Sequence, residues 1–100
     1  MKAEWKIRSY TSEEIARITG GLLVPGTAGS RPVSGICTDS REVEPGMLFC
    51  AIVGERTDGH LYIDTACRAG ASCILAQNMV EDCPVDIVVV SDTVRAIGEL

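Results

Sequence analysis

Leu48-Phe49-Cys50-Ala51-Ile52-Val53 is a continuous apolar run of strand length, and it predicts a central strand covered on both faces. Immediately upstream, Glu44-Pro45-Gly46 places Pro and Gly in the order of a type II turn. Before that turn, Val33 to Thr38 is β-branched and apolar enough for another strand, which Asp39-Ser40-Arg41 interrupts with three polar side chains. Downstream, the run stops at Gly54, and Gly54 to His60 forms a polar loop bracketed by glycines. Ile63, Ala66, Cys67 and Gly70 then follow the spacing of a helix packed on a sheet. Ser72 to Ala76 and Asp86-Ile87-Val88-Val89-Val90 read as two further strands. Ser91-Asp92 offers a cap for a last helix starting near Thr93.

Toward the amino terminus, Thr11 and Glu14 have the spacing of a capping box, and Ile15 and Ile18 lie near helical period. Gly20-Gly21 supplies the stop, after which Leu22-Leu23-Val24 reads as a short strand ended by Pro25-Gly26. Alternation of strands and helices predicts an α/β fold: a small, largely parallel or mixed sheet with flanking helices and right-handed crossovers. Residues 1–100 are expected to form a single domain, since no shift in composition divides them. The final helix runs into Leu100 without a stop signal, which predicts an amino-terminal piece of something longer.

Composition narrows the function classes. The formal charge is −5 and no basic stripe exists, which argues against nucleic acid as a partner. A small anion needs only two or three placed donors, so it remains compatible with an acidic chain. No apolar run approaches membrane-spanning length and Met1 to Tyr10 is too polar for a signal peptide, so the expected location is cytoplasmic. The five cysteines include no C-x-x-C pair and predict no metal site. Cys37, Cys50, Cys67 and Cys73 sit in apolar stretches, as small buried hydrophobes do.

Ligands of α/β sheets bind beyond the carboxyl ends of strands, where both polar loops are expected to lie. Arg41 and Arg56 can offer forked donors to phosphate oxygens, Ser40 a hydroxyl, and the glycines close backbone approach. Asp39 and Asp58 can accept from a ribose or base, or hold the arginines in place. The competing reading makes Asp39 and Arg41 turn residues with a surface ion pair. For His60, the only histidine, a capping or partly buried contact outweighs catalysis. No P-loop and no G-x-S-x-G elbow occurs, so no catalytic residue is assigned to this segment.

Thr38-Asp39-Ser40-Arg41, Pro45-Gly46-Met47-Leu48-Phe49, Gly54-Glu55-Arg56-Thr57-Asp58-Gly59-His60 and Gly70-Ala71 together resemble the amino-terminal domain of the Mur ligases. These are ATP-dependent amide-bond ligases that extend the peptide on UDP-N-acetylmuramic acid in peptidoglycan synthesis. The second loop and the opening Thr11-Ser12-Glu13-Glu14-Ile15-Ala16-Arg17-Ile18-Thr19-Gly20-Gly21 are most similar to the branch that adds D-alanyl-D-alanine. The branch adding the third peptide residue is the alternative, and a stand-alone nucleotide-binding or interaction module is another. The resemblance implies that Thr38, Asp39, Ser40, Arg41, Gly54, Glu55, Arg56, Thr57, Asp58, Gly59 and His60 contact the UDP part of a UDP-N-acetylmuramoyl-peptide. It further implies that ATP, Mg2+ and D-alanyl-D-alanine belong to central and carboxy-terminal domains absent here, with no cofactor in this segment. Thr57 stands where an aromatic is common in the family, and Met47 replaces its usual Asp after Pro-Gly.

Overall fold

A computed structural model describes residues 5–27, 29, 31–53, 58–80 and 83–100, with side chains from residue 9 onward. Thr11 and Glu14 exchange the two capping-box hydrogen bonds, at 3.1 and 3.0 Å, and start helix α1 (Ser12–Thr19), which Gly20 closes. The strands are β1 (Trp5–Tyr10), β2 (Leu22–Val24), β3 (Val33–Cys37), β4 (Met47–Cys50), β5 (Cys73–Ala76) and β6 (Asp86–Val89). Two more helices, α2 (Ile63–Arg68) and α3 (Thr93–Glu99), and two 3-10 turns, Ser40–Glu42 and Gly59–Tyr62, complete the described elements.

The six strands form one sheet in the order β1-β3-β4-β5-β6-β2. β3, β4, β5 and β6 pair in parallel, and β1 and β2 close the two edges antiparallel. The sheet is therefore mixed around a parallel centre. Its register aligns Cys37, Phe49, Ile74, Ile87 and Val24 as one row across five strands. That row packs with Ile63 and Ala66 of α2 on one face. On the other, Cys50, Leu75, Val88 and Leu23 pack with Ile15 of α1 and Ala96 of α3. Alternating side chains thus feed two cores, and each fully buried Ile, Leu or Phe contributes about 1.5–3 kcal/mol.

Pro45-Gly46 makes the expected turn: Met47 N–H donates to the Glu44 carbonyl at 3.2 Å, and Gly46 adopts φ 91°, a conformation that favours glycine. Asp86, buried at the start of β6, accepts from the Gly26 N–H at 2.8 Å and tethers the turn after β2.

Several boundaries differ from the sequence expectation. β4 begins at Met47 and ends at Cys50 rather than running to Val53. Ala51 N–H still bonds to the Leu75 carbonyl, after which the chain leaves the sheet and Val53 bridges back to Asp58. β1 was not anticipated, because Lys6 and Arg8 break up its apolar pattern. Cys37, Cys50 and Cys73 are buried, but Cys67 is only half-buried, because Ile63 and Ala66 take the inward face of α2. Among the described residues, no helix is long and apolar enough to cross a membrane.

Candidate functional site at the carboxyl edge of the sheet

Parallel pairing of adjacent strands puts the segments following β3, β4 and β5 side by side on one edge. The first two of these segments are built alike. After β3, Asp39 caps the turn Ser40–Glu42, its carboxylate accepting from the Arg41 N–H at 2.9 Å. After β4, Asp58 caps the turn Gly59–Tyr62, accepting from the His60 N–H at 2.9 Å. In each case a short acidic side chain satisfies a donor that the start of a helical turn leaves open. α2 packs against both turns and holds them to the same body.

Arg41 folds back on Asp39 in a forked pair, with Nε 3.0 Å from Oδ1 and Nη2 2.8 Å from Oδ2. Its side chain is nevertheless 84% exposed, so the guanidinium is oriented yet open to a ligand. Hydrogen bonds from the Arg41 side chain and then its N–H hold the Asp39 carboxyl down to about 2. Thr38 is half-buried and Ser40 is buried beneath the turn, with the Cys37 thiol donating to the Asp39 carbonyl at 3.0 Å.

His60 links the second segment to the third. Its Nδ1 lies 2.6 Å from Asp58 Oδ1. Its Nε2 faces two backbone donors, the Gln77 N–H at 2.9 Å and the Asn78 N–H at 3.2 Å. Two N–H groups aimed at one ring nitrogen call for a lone pair there, which leaves Nδ1 to donate to Asp58. The His60 N–H, followed by the ring, also lowers the Asp58 carboxyl below its ordinary value. Both ring nitrogens are thus occupied, and His60 acts as a strut between the end of β4 and the end of β5. Gln77 carries the chain of contacts onward, its Oε1 accepting from the Thr93 hydroxyl and N–H at 3.4 Å, at the start of α3. Gly59 is packed so tightly that a Cβ would lie 2.6 Å from the Ile52 nitrogen, so only glycine lets the second turn rest against the end of β4.

Of the sequence candidates, Thr38, Asp39, Ser40, Arg41, Asp58, Gly59 and His60 share this edge. Gly54, Glu55, Arg56 and Thr57 lie outside the described residues, and with them the expected pairing of Arg41 with Arg56. Gln77 and Asn78 were not singled out from the sequence. The strand-end rule that selected the first two loops, applied to β5, would have found Gln77 and Asn78. Among the described residues no group of three or more His, Cys, Asp or Glu side chains could hold a metal ion. A cavity of about 270 Å³ lies between Val24, Met79, Cys83, Val85 and neighbours, and among the described residues its lining carries no charged side chain to recognise an anion.

The strut predicts that His60→Ala loses about 1–3 kcal/mol of unfolding free energy, because the Gln77 and Asn78 N–H groups lose their acceptor. Urea titration would show it; a change below about 0.5 kcal/mol, the scatter of ordinary surface substitutions, would contradict the role. Asp39 yields a pH prediction. Its folded value lies below the ordinary 3.8, so its stabilisation is complete above 3.8 and disappears as pH falls toward about 2. Asp39→Asn keeps a capping oxygen without the charge. The gap in thermal midpoint between wild type and this variant should therefore narrow across that window, and a gap independent of pH would refute the assignment.

Residues 32–99 match the model of the Mur ligase family, catalytic domain. The chain is 37% identical over 91 residues to the UDP-N-acetylmuramoyl-L-alanyl-D-glutamate–2,6-diaminopimelate ligase of Phocaeicola vulgatus, covering 87% of this chain and 19% of that protein. It is 32% identical over 92 residues to the UDP-N-acetylmuramoyl-tripeptide–D-alanyl-D-alanine ligase of Bacillus subtilis, covering 90% of this chain and 20% of that protein. Among solved structures, MurF from Acinetobacter baumannii superposes with a TM-score of 0.80 at 26% identity, over 96% of this chain and 21% of that one. The chain therefore spans about one fifth of the length of these relatives. Family model, relatives and fold converge, and the chain belongs to the Mur ligase family.

Proposed function

We propose that residues 1–100 form the UDP-recognition domain of an ATP-dependent amide ligase of peptidoglycan synthesis, acting in the cytoplasm on a UDP-N-acetylmuramoyl-peptide. The observation that carries this reading is the exposed, pre-oriented Arg41 guanidinium, held by Asp39 at the edge where the Asp58–His60 turn and the Gln77-Asn78 segment also meet. A diphosphate seated there would meet a fixed fork of donors, with Arg56 expected to add a second. The Asp39 pair is not an obstacle, since a guanidinium has five N–H donors and the carboxylate engages only two.

In this reading the segment contributes positioning rather than chemistry. ATP phosphorylates the terminal carboxylate of the substrate's peptide, ADP leaves, and the incoming amine displaces phosphate from the acyl carbon. ATP and Mg2+ are assigned to the remaining domains, in keeping with the absence of a P-loop from this sequence. The MurF ligase of Thermotoga maritima, solved with ADP, matches 64% of this chain and 15% of its own at 35% identity, with a TM-score of 0.57. Gripping the UDP handle far from the reacting carbon lets remote binding energy serve orientation at the chemical step.

For the incoming amine we favour D-alanyl-D-alanine, supported by the extent of the MurF superposition. A second reading, diaminopimelate addition, is favoured by the higher identity to the Phocaeicola vulgatus ligase. Amide formation by the ligase carrying this chain separates them: UDP-muramoyl-tripeptide with D-alanyl-D-alanine in one assay, UDP-muramoyl-dipeptide with diaminopimelate in the other. In the same protein, Arg41→Ala should weaken UDP-muramoyl-peptide binding about 5- to 150-fold, or about 1–3 kcal/mol, by calorimetry. Unchanged affinity would remove Arg41 from the site.

A further inference from the structure

Apart from the contacts of Arg41, His60 and Gln77, two thiols 16 residues apart in the chain meet. Cys67, in the last turn of α2, places its sulfur 3.7 Å from that of Cys83, in the connection between β5 and β6. Both are half-buried, whereas Cys37, Cys50 and Cys73 are buried, so an oxidant in solution meets this pair first. Cys83 also lines the 270 Å³ cavity beside Met79 and Val85, which gives a small molecule a route to its sulfur. A disulfide needs a sulfur separation of about 2.05 Å, so the two atoms must approach by about 1.7 Å. Side-chain rotation can supply part of that movement, and Cys83 to Val85 lie outside any strand, so the rest need not disturb the sheet.

We propose that Cys67 and Cys83 form an oxidisable dithiol site, which hydroperoxides convert to an intramolecular disulfide tying α2 to the β5–β6 connection. The Cys83 sulfur attacks one oxygen of hydrogen peroxide, the O–O bond breaks, and water leaves a sulfenic acid on Cys83. The Cys67 sulfur then attacks that sulfur: the S–S bond forms, the S–O bond breaks, and a second water departs. Both thiol protons end in the two waters; the sulfur pair loses two electrons and the peroxide gains them. The order follows from the surroundings. Cys83 lines the cavity, where a peroxide can reach it, whereas Cys67 is held in the last turn of α2. The bond would also restrain the connection that carries Gln77 and Asn78, the two donors to His60. None of this depends on which ligand the strand-end site takes.

The test is to expose the folded chain to hydrogen peroxide, block remaining thiols with N-ethylmaleimide and map the peptides by mass. The expected product is a Cys67–Cys83 cross-linked peptide lighter by two hydrogens and reversed by dithiothreitol, with Cys37, Cys50 and Cys73 still reduced. In Cys67→Ser the cross-link should vanish and Cys83 should accumulate as a dimedone-reactive sulfenic acid. Recovery of Cys67 and Cys83 from the wild-type chain as free thiols, as separate sulfinic or sulfonic acids, or cross-linked to other cysteines would overturn the proposal.

Discussion

Parallel pairing of β3, β4, β5 and β6 forces every carboxyl end of the central strands onto one edge of the sheet, and the candidate site is a consequence of that constraint. Neighbouring parallel strands lie about 4.8 Å apart, so segments leaving them are brought within side-chain reach whatever their separation in sequence. The pairing is itself secured by the aligned row Cys37, Phe49, Ile74, Ile87 and Val24, because a slip of one residue would send each of these to the opposite face. Core and site therefore share one register: the contacts that bury the row also set where Arg41, His60 and Gln77 stand.

On that edge the chain uses one device twice. An aspartate just beyond a strand caps a short 3-10 turn, and the residue two positions on supplies a cationic or hydrogen-bonding side chain that folds back on the same carboxylate. The outcomes differ with the partner. Arg41 remains exposed and keeps donors to spare, whereas His60 is spent on the Gln77 and Asn78 amides. In the proposed reading recognition falls to the first turn and positioning to the second, and a chain of net charge −5 can present a local cation without a basic surface.

Much of this was legible in the sequence because it is local. The Thr11–Glu14 box, the Glu44-Pro45-Gly46 turn, the Asp92 cap and the apolar strands each depend on residues within a few positions of one another. The elements that escaped depend on contacts distant in sequence. β1 owes its strand to pairing with β3, since its own composition is mixed. The shortening of the apolar run reflects where the chain turns out of the sheet, after the Ala51 N–H bonds to the Leu75 carbonyl, not a change in hydrophobicity at Ala51. His60 could be read as a partly buried contact at a helix start, but its acceptors and donors could not: Gln77 lies 17 residues away and meets it only because β4 and β5 are neighbours. The same holds for Cys67 and Cys83, whose spacing matches no metal motif and whose contact comes from the packing of α2.

The central claim is that the carboxyl-edge segments together form a diphosphate site. Amide chemical-shift mapping during a UDP titration of the chain examines that directly. The account predicts that shifts concentrate on Arg41, on Asp58 to His60 and on Gln77-Asn78. Shifts confined to the apolar cavity at Val24, Met79 and Val85, or none at saturating UDP, would contradict it.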